Sequence, residues 1–252
     1  MALLNITFKA QTLGMDCGVS VILPQSFQEK TIAKPYRTLY LLHGLSDDNT
    51  AWTRFTSIER YAADYGIAVV MPNVHRSFYS DRKNGGQYFK FVSDELITVM
   101  QEWLPLSDKR ADRCAAGLSM GGYGAMKLGL SCPEKFSAVA SLSGALDITE
   151  RLSVEKGIHE EFAFILDVPA EERRKADLFW LAEKLNAPDS KIPKPRIYIW
   201  CGTEDFLYED NIKFRDFMKK LDFDFTYEES PGDHTWGYWD MKIQTALNFM
   251  FG

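Results

Sequence analysis

The chain has 252 residues, of which 46% are hydrophobic, 13% aromatic and 25% charged, with a net charge of −6. That is the balance of an ordinary globular protein, and α/β folds of about 200–250 residues often stay undivided, so a single domain over 1–252 is expected. Charges of both signs are interspersed with no basic stripe, and no apolar run reaches the about eighteen residues of a membrane span, which argues against nucleic acid and membrane as partners.

The first residues alternate like a strand and lack a basic segment ahead of an apolar one, so a secretory signal is not expected there. Cys17, Cys114, Cys132 and Cys201 show no C-x-x-C spacing, and Cys114 and Cys201 lie in apolar runs. Buried free thiols in a reducing cytoplasm, with no zinc site, are the expectation.

In chain order, residues 3–10 and 15–23 alternate polar and apolar side chains around Gly14, which predicts an antiparallel hairpin with one wetter face, closed by Pro24. Residues 38–42 are continuously apolar, as in a central strand covered on both faces, and run into a polar loop, 43–49. A helix over 51–65 is stopped by Gly66, and 67–71 is another buried strand, closed by Pro72. After a loop over 73–87 carrying Tyr79-Ser80-Asp81 and Gly85-Gly86, a helix over 89–104 places Leu96, Val99, Met100 and Trp103 on one buried face. Residues 113–118 read as a strand, 122–130 as a helix and 137–143 as a further strand.

The regular alternation then pauses. Residues 147–195 read as helical pieces (160–166 and 172–185) that end in Pro193-Lys194-Pro195. A strand over 196–202, a helix over 211–221 with Ile212, Phe214, Phe217 and Met218 near one side, a strand over 223–228 and a helix over 236–251 complete the chain. Alternating strands and helices predict an α/β fold: a mostly parallel central sheet with an N-terminal antiparallel hairpin, helices on both faces, and a short helical insertion after the sixth strand.

Between the strand ending near 118 and the helix after it stands Gly117-Leu118-Ser119-Met120-Gly121. G-x-S-x-G between strand and helix is the pattern of a nucleophile elbow, in which a sharp turn presents one serine at its apex. The serine is strained there, and side chains two residues away would strike backbone, which is why glycines flank it. Taken alone, the pattern fits equally well a strand-to-helix turn with small residues for packing.

The surroundings decide between the two. In open α/β sheets functional groups collect beyond the carboxyl ends of strands, and Ser119, Asp205 and His234 each follow such an end, in the order serine, acid, histidine that this architecture uses. His234 would take the hydroxyl proton and return it to the leaving alcohol, while Asp205 holds the imidazole tautomer. Among the other histidines, His159 lies in the insertion, His75 comes too early, and His43 suits bracing of its loop better than proton transfer. Asp205 competes with Glu204, Asp210 and Asp233, but Asp233 adjoins the histidine, which points the two side chains apart, and Asp210 suits a helix N-terminus. The oxyanion hole would use the N–H groups of Met120 and Leu45, with Gly44 letting the loop turn inward. Ser143-Gly144 is a rival nucleophile without the preceding glycine, and a buried packing role is expected for it.

Together these stretches resemble the esterase D-like branch of the α/β-hydrolases, which includes bacterial tributyrin esterases and S-formylglutathione hydrolases and is related to feruloyl esterases and mycolyltransferases. The resemblance covers nearly the whole chain, through Leu41-Leu42-His43-Gly44, Val70-Met71-Pro72-Asn73, Gly117-Leu118-Ser119-Met120-Gly121-Gly122-Tyr123-Gly124, Ser143-Gly144-Ala145, Cys201-Gly202-x-x-Asp205-Phe206-Leu207-Tyr208 and His234-x-Trp236-x-Tyr238-Trp239. It looks closest to the tributyrin esterases. It implies the α/β-hydrolase fold, the triad Ser119, Asp205 and His234, the oxyanion donors Leu45 and Met120, no cofactor, and a homo-oligomer as one assembly seen among such proteins. S-formylglutathione hydrolases usually carry Thr-Cys after the His-Gly-Leu loop, whereas Ser46-Asp47 stands here, which weakens the glutathione-thioester reading.

The expected activity is hydrolysis of short-chain acyl esters, of tributyrin or acetyl type, through an acyl-enzyme on Ser119. An S-formylglutathione-type thioesterase and a feruloyl esterase are the alternatives. A non-catalytic binding module is disfavoured because such a scaffold has no need of all three triad residues. Tyr79 and Trp236 are candidate substrate contacts, although core positions would suit both, and the 147–195 insertion is expected to act as a cap that shapes the acyl pocket.

Overall fold

The computed structural model describes all residues except 27–31, 84, 155, 167–168 and 188–190, and not the side chains of 154, 156–159 and 166. One eight-stranded sheet organises the described residues: β1 (Ala2–Ala10), β2 (Met15–Leu23), β3 (Thr38–Leu42), β4 (Ala68–Pro72), β5 (Arg113–Leu118), β6 (Ala138–Leu142), β7 (Arg196–Gly202) and β8 (Phe225–Ser230), in the order β1-β2-β4-β3-β5-β6-β7-β8. β1 pairs with β2, and β2 with β4, antiparallel; the remaining pairs are parallel. The hairpin turns at Gly14 with φ +68°, a left-handed conformation that costs glycine little. Strands β3 to β6 are buried along their whole length, as their unbroken apolar runs require.

Consecutive strand residues face opposite sides of the sheet, so two cores form. Tyr40, Leu42, Val70, Ala115 and Val139 join one core with α5 (Met120–Ser131), α9 (Leu178–Leu185) and α10 (Tyr208–Met218). Leu39, Leu41, Val69, Ala116 and Trp200 join the other with α2 (Ile58–Tyr65) and α11 (Trp236–Phe251).

Several elements differ from the sequence reading. The helix expected over 51–65 is broken into α1 (Ala51–Phe55) and α2, because Thr56 turns extended. The freed N–H groups of Ser57 and Ile58 then donate to Asp240 Oδ1 and Thr56 Oγ1 at 3.0 and 3.1 Å. The helix expected over 89–104 is α3 (Tyr88–Lys90), a π-helical stretch Phe91–Glu95, and α4 (Leu96–Trp103). Leu96 and Met100 are buried as expected, but Trp103 is 53% exposed, since the helix ends there, and its ring meets that of Phe8 at right angles, 5.5 Å away. The last strand runs over Phe225–Ser230, two residues later than expected.

Between β6 and β7 the chain forms α6 (Ile148–Val154), α7 (Lys156–Leu166), α8 (Ala170–Arg174) and α9. Asp177 starts α9 by accepting the Phe179 and Trp180 N–H groups, which is why the predicted 172–185 helix is interrupted before that residue. The insertion is fastened to the body by the Tyr123 hydroxyl on the Ala176 carbonyl (2.9 Å), by Phe162 edge-on to Phe78 (4.7 Å), and by the Arg151–Asp210 ion pair (3.0 Å). No helix among the described residues is long and apolar enough to cross a membrane.

Candidate active site

β3 and β5 are neighbours, yet the chain leaves β3 for β4 on one side before crossing back to β5 on the other. A crevice opens beyond the strand ends at such a reversal, and the loops after β3 and β5 border it. Ser119 stands at the end of β5 as the cap of α5, with φ 53° and ψ −119°. A left-handed serine is strained, and three backbone bonds hold it: its N–H donates to Leu142 O (3.0 Å), and its carbonyl accepts from Tyr123 and Ala145 (3.1 and 3.2 Å). The two flanking glycines are required by contact. A methyl on Gly117 would lie 2.4 Å from the Gly121 backbone, and one on Gly121 would lie 2.4 Å from Leu42 O.

The loop after β3 passes directly beside the serine: a methyl on Gly44 would come within 3.7 Å of Ser119 Cβ. Gly44 and Asp47 close a small turn, the Gly44 N–H donating to Asp47 Oδ2 at 3.2 Å and the Asp47 N–H to Gly44 O at 3.3 Å. Among the described residues, neither the Leu45 N–H nor the Met120 N–H is taken up by an acceptor within the chain. The latter is a first-turn donor of α5, which has no intrahelical partner by geometry. His43 is buried under this loop. Its Nε2 accepts the Val74 N–H at 3.0 Å and its Nδ1 lies 2.7 Å from Gly44 O, a pattern that assigns the proton to Nδ1. Burial outweighs the Gly44 carbonyl and drives its pKa down to about 4, so it braces the loop as a neutral ring.

Asp205 and His234, the expected acid and base, meet at the ends of β7 and β8. His234 Nδ1 donates to Asp205, 2.8 Å from Oδ2 and 3.0 Å from Oδ1. The Asp205 side chain has no exposed surface, and that of His234 keeps 18%. Burial alone would favour a neutral Asp205, but the His234 N–H and charge, the Leu207 N–H at 2.8 Å and the Ser143 hydroxyl outweigh it, holding the carboxyl below the usual carboxylate range. The rival acids are engaged elsewhere: Glu204 accepts the Gly232 N–H, Asp210 pairs with Arg151, and Asp233 accepts from the Thr235 hydroxyl at 2.7 Å.

Of the two candidate substrate contacts, Trp236 is half-buried near His234, edge-on to Trp52 (5.1 Å) and Trp239 (5.4 Å). Tyr79 has no exposed surface, so the expectation of a substrate contact is not met there. Its hydroxyl donates to His43 O at 3.0 Å and its ring fills the space left by Gly124, whose added methyl would lie 2.5 Å from it. It supports the His43 loop from beneath. Of the remaining histidines, His75 lies 6.2 Å from the Tyr88 ring, and the His159 side chain is outside the described residues.

Three roles were missed. Ser143, expected to pack, is buried with φ 49° just after β6 and accepts the Trp239 Nε1–H at 3.1 Å, and its hydroxyl is among the groups that hold the Asp205 carboxyl low. Its position after a strand end was the available signal. Lys127, in the middle of the helix expected over 122–130, is buried and donates to Tyr79 O (3.0 Å) and Ser80 Oγ (2.8 Å); burial lowers its pKa to about 7. Phe206, 65% exposed, lies 4.5 Å from the His234 ring.

Residues 10–250 match the model of the esterase family, described as a putative esterase. The chain belongs to that family. The acetyl esterase of Caldicellulosiruptor saccharolyticus is 32% identical to it over 263 positions, covering 99% of this chain and 98% of that protein. The substrate-bound fluorophosphonate-binding serine hydrolase FphF of Staphylococcus aureus superposes with a TM-score of 0.89 at 37% identity, over 100% of this chain and 98% of that one. The S-formylglutathione hydrolase FrmB of Staphylococcus aureus superposes with a TM-score of 0.85 at 35% identity, over 100% and 99%. The esterase is a carboxylic ester hydrolase of the serine type on the α/β-hydrolase fold, within the esterase D-like branch.

Proposed function

We propose that this esterase hydrolyses short-chain acyl esters through an acyl-enzyme on Ser119. The observation that carries the reading is the His234 Nδ1–Asp205 bond of 2.8 Å, at the same edge of the sheet as the strained Ser119. His234 takes the Ser119 proton as the oxygen attacks the acyl carbon, and the Leu45 and Met120 N–H groups receive the oxyanion. The proton then passes to the departing alcohol, and water activated by His234 releases the acid. The likeness to an acetyl esterase supports a short acyl group. The chain is taken as one catalytic domain in which 147–195 caps the acyl side, with Trp236 at its rim. The unpaired thiols of all four cysteines support a reducing compartment such as the cytoplasm.

The likeness to FrmB supports a second reading, a thioesterase of the S-formylglutathione type, because the same groups serve either leaving atom. One assay separates the readings: turnover of p-nitrophenyl acetate, butyrate and octanoate beside S-formylglutathione and methyl ferulate. Fastest turnover of acetate or butyrate is expected. Preference for the thioester or the ferulate overturns the first reading. Ser119→Ala is expected to abolish turnover and fluorophosphonate labelling together, and persistence of either would move the nucleophile elsewhere.

A further inference from the structure

His234 touches two aromatic rings of opposite character. Trp239, 4% exposed, meets it edge-on at 4.9 Å and is anchored through Nε1 to Ser143. Phe206 lies closer, at 4.5 Å and tilted by 51°, and is the most exposed large hydrophobic side chain among the described residues. The contacts continue from Trp239 to Trp236 (5.4 Å) and on to Phe55 (5.0 Å), which is 47% exposed. An aromatic row therefore crosses the site with both ends in solvent and the catalytic imidazole within it.

Core packing does not account for Phe206, yet its position is fixed. Asp205 Oδ1 accepts the Leu207 N–H at 2.8 Å, Asp205 O accepts the Tyr208 N–H at 2.9 Å, and Arg151 donates to Phe206 O at 3.4 Å with its guanidinium carbon 5.9 Å from the ring centre. When the acyl–oxygen bond breaks, the Ser119 proton carried by His234 passes to the departing oxygen. The part of the substrate bonded to that oxygen must therefore lie beside the His234 ring, where Phe206 waits.

We propose that Phe206 forms a leaving-group subsite that takes apolar, planar alcohol portions, of aryl or aralkyl type. This rests on the Ser119 esterase reading and names the alcohol side of its substrate. Face or edge contact with an aromatic alcohol supplies binding that an alkyl alcohol cannot match.

The test compares benzyl acetate with ethyl acetate, which share one acyl-enzyme and have leaving alcohols of similar basicity. Phe206→Ala is expected to lower kcat/KM for benzyl acetate about five- to tenfold, chiefly through KM, and for ethyl acetate less than about twofold, the size of one aromatic contact. Phe206→Trp should retain the preference. Deacylation is common to both esters, so a changed ratio arises only from the alcohol side. Equal loss on both substrates would reduce Phe206 to a positioning residue for His234, and no loss on either would remove it from the site. Both results overturn the proposal. Benzyl alcohol is a second probe, read by quenching of tryptophan fluorescence in wild type and in Phe206→Ala. If the wild type hydrolyses neither ester, the esterase reading fails on its own, while unchanged benzyl alcohol affinity in Phe206→Ala overturns the subsite separately.

Discussion

Asp205 is buried with three groups that all favour its charge, so its value to the site lies in what it does to the imidazole. A carboxylate can only accept, which forces the His234 proton onto Nδ1 and leaves Nε2 free as a base. Asp205→Asn offers an amide of the same shape that can turn a donor toward Nδ1 and reverse the tautomer. We expect kcat to fall by about 10⁴ with little change in KM, as for a triad whose geometry survives but whose tautomer does not. A stopped assay on p-nitrophenyl acetate measures it, and a loss below about tenfold would place the acid at another residue. Ser143 acts on the same carboxylate, which makes it a positioning residue and explains why a hydroxyl is buried at that strand end.

The loop between β4 and α3 shows what one element does for another. His75, Phe78 and Tyr79 all adopt positive φ (51°, 47° and 46°), which is costly for side chains of this size. Lys127 holds the loop at the Tyr79 carbonyl and the Ser80 hydroxyl, and Tyr79 in turn holds the His43 carbonyl, one residue before the proposed oxyanion loop turns at Gly44. Tyr79→Phe removes the last link and is expected to cost about 1–3 kcal/mol of stability, the penalty for a buried polar group left without its partner. Because the slack would fall on the proposed Leu45 donor, kcat should drop more than KM rises. Denaturant titration and steady-state kinetics check the two effects, and unchanged kcat would detach Tyr79 from the oxyanion loop. None of this was legible in the sequence. The strands were, because two-residue alternation and apolar runs are local patterns, and so was the placing of Ser119, Asp205 and His234 beyond strand ends, on which the proposed triad rests. Tyr79 reaches His43 across 36 positions and Lys127 reaches Tyr79 across 48, so no local pattern links them. The break at Thr56 is likewise secured by Asp240, 183 positions from Ser57.

For the whole molecule, buried His43 ties stability to pH. Its pKa is near its ordinary 6.5 in the unfolded chain and falls to about 4 in the fold, chiefly through burial. Between those values the unfolded chain binds a proton that the folded chain does not, so His43 contributes stability that is present above 6.5 and is lost as pH falls toward 4. Its share between pH 7 and pH 5 is about 2 kcal/mol. The urea midpoint should therefore drop on acidification, and drop less in His43→Gln; equal slopes would exclude His43 as the cause. At the same scale, the parallel pairing of β6 with β7 joins two halves of the proposed chemistry. The loop after β3 and Ser119 lie ahead of that seam, while Asp205 and His234 follow it. A chain cut between α9 and β7 would thus yield one fragment with the proposed nucleophile and no base, and another with the Asp205–His234 pair and nothing to activate. Hydrolysis would resume only when the two fragments zip together along β6 and β7, so the sheet contains the makings of a split-enzyme reporter whose signal is the act of reassembly.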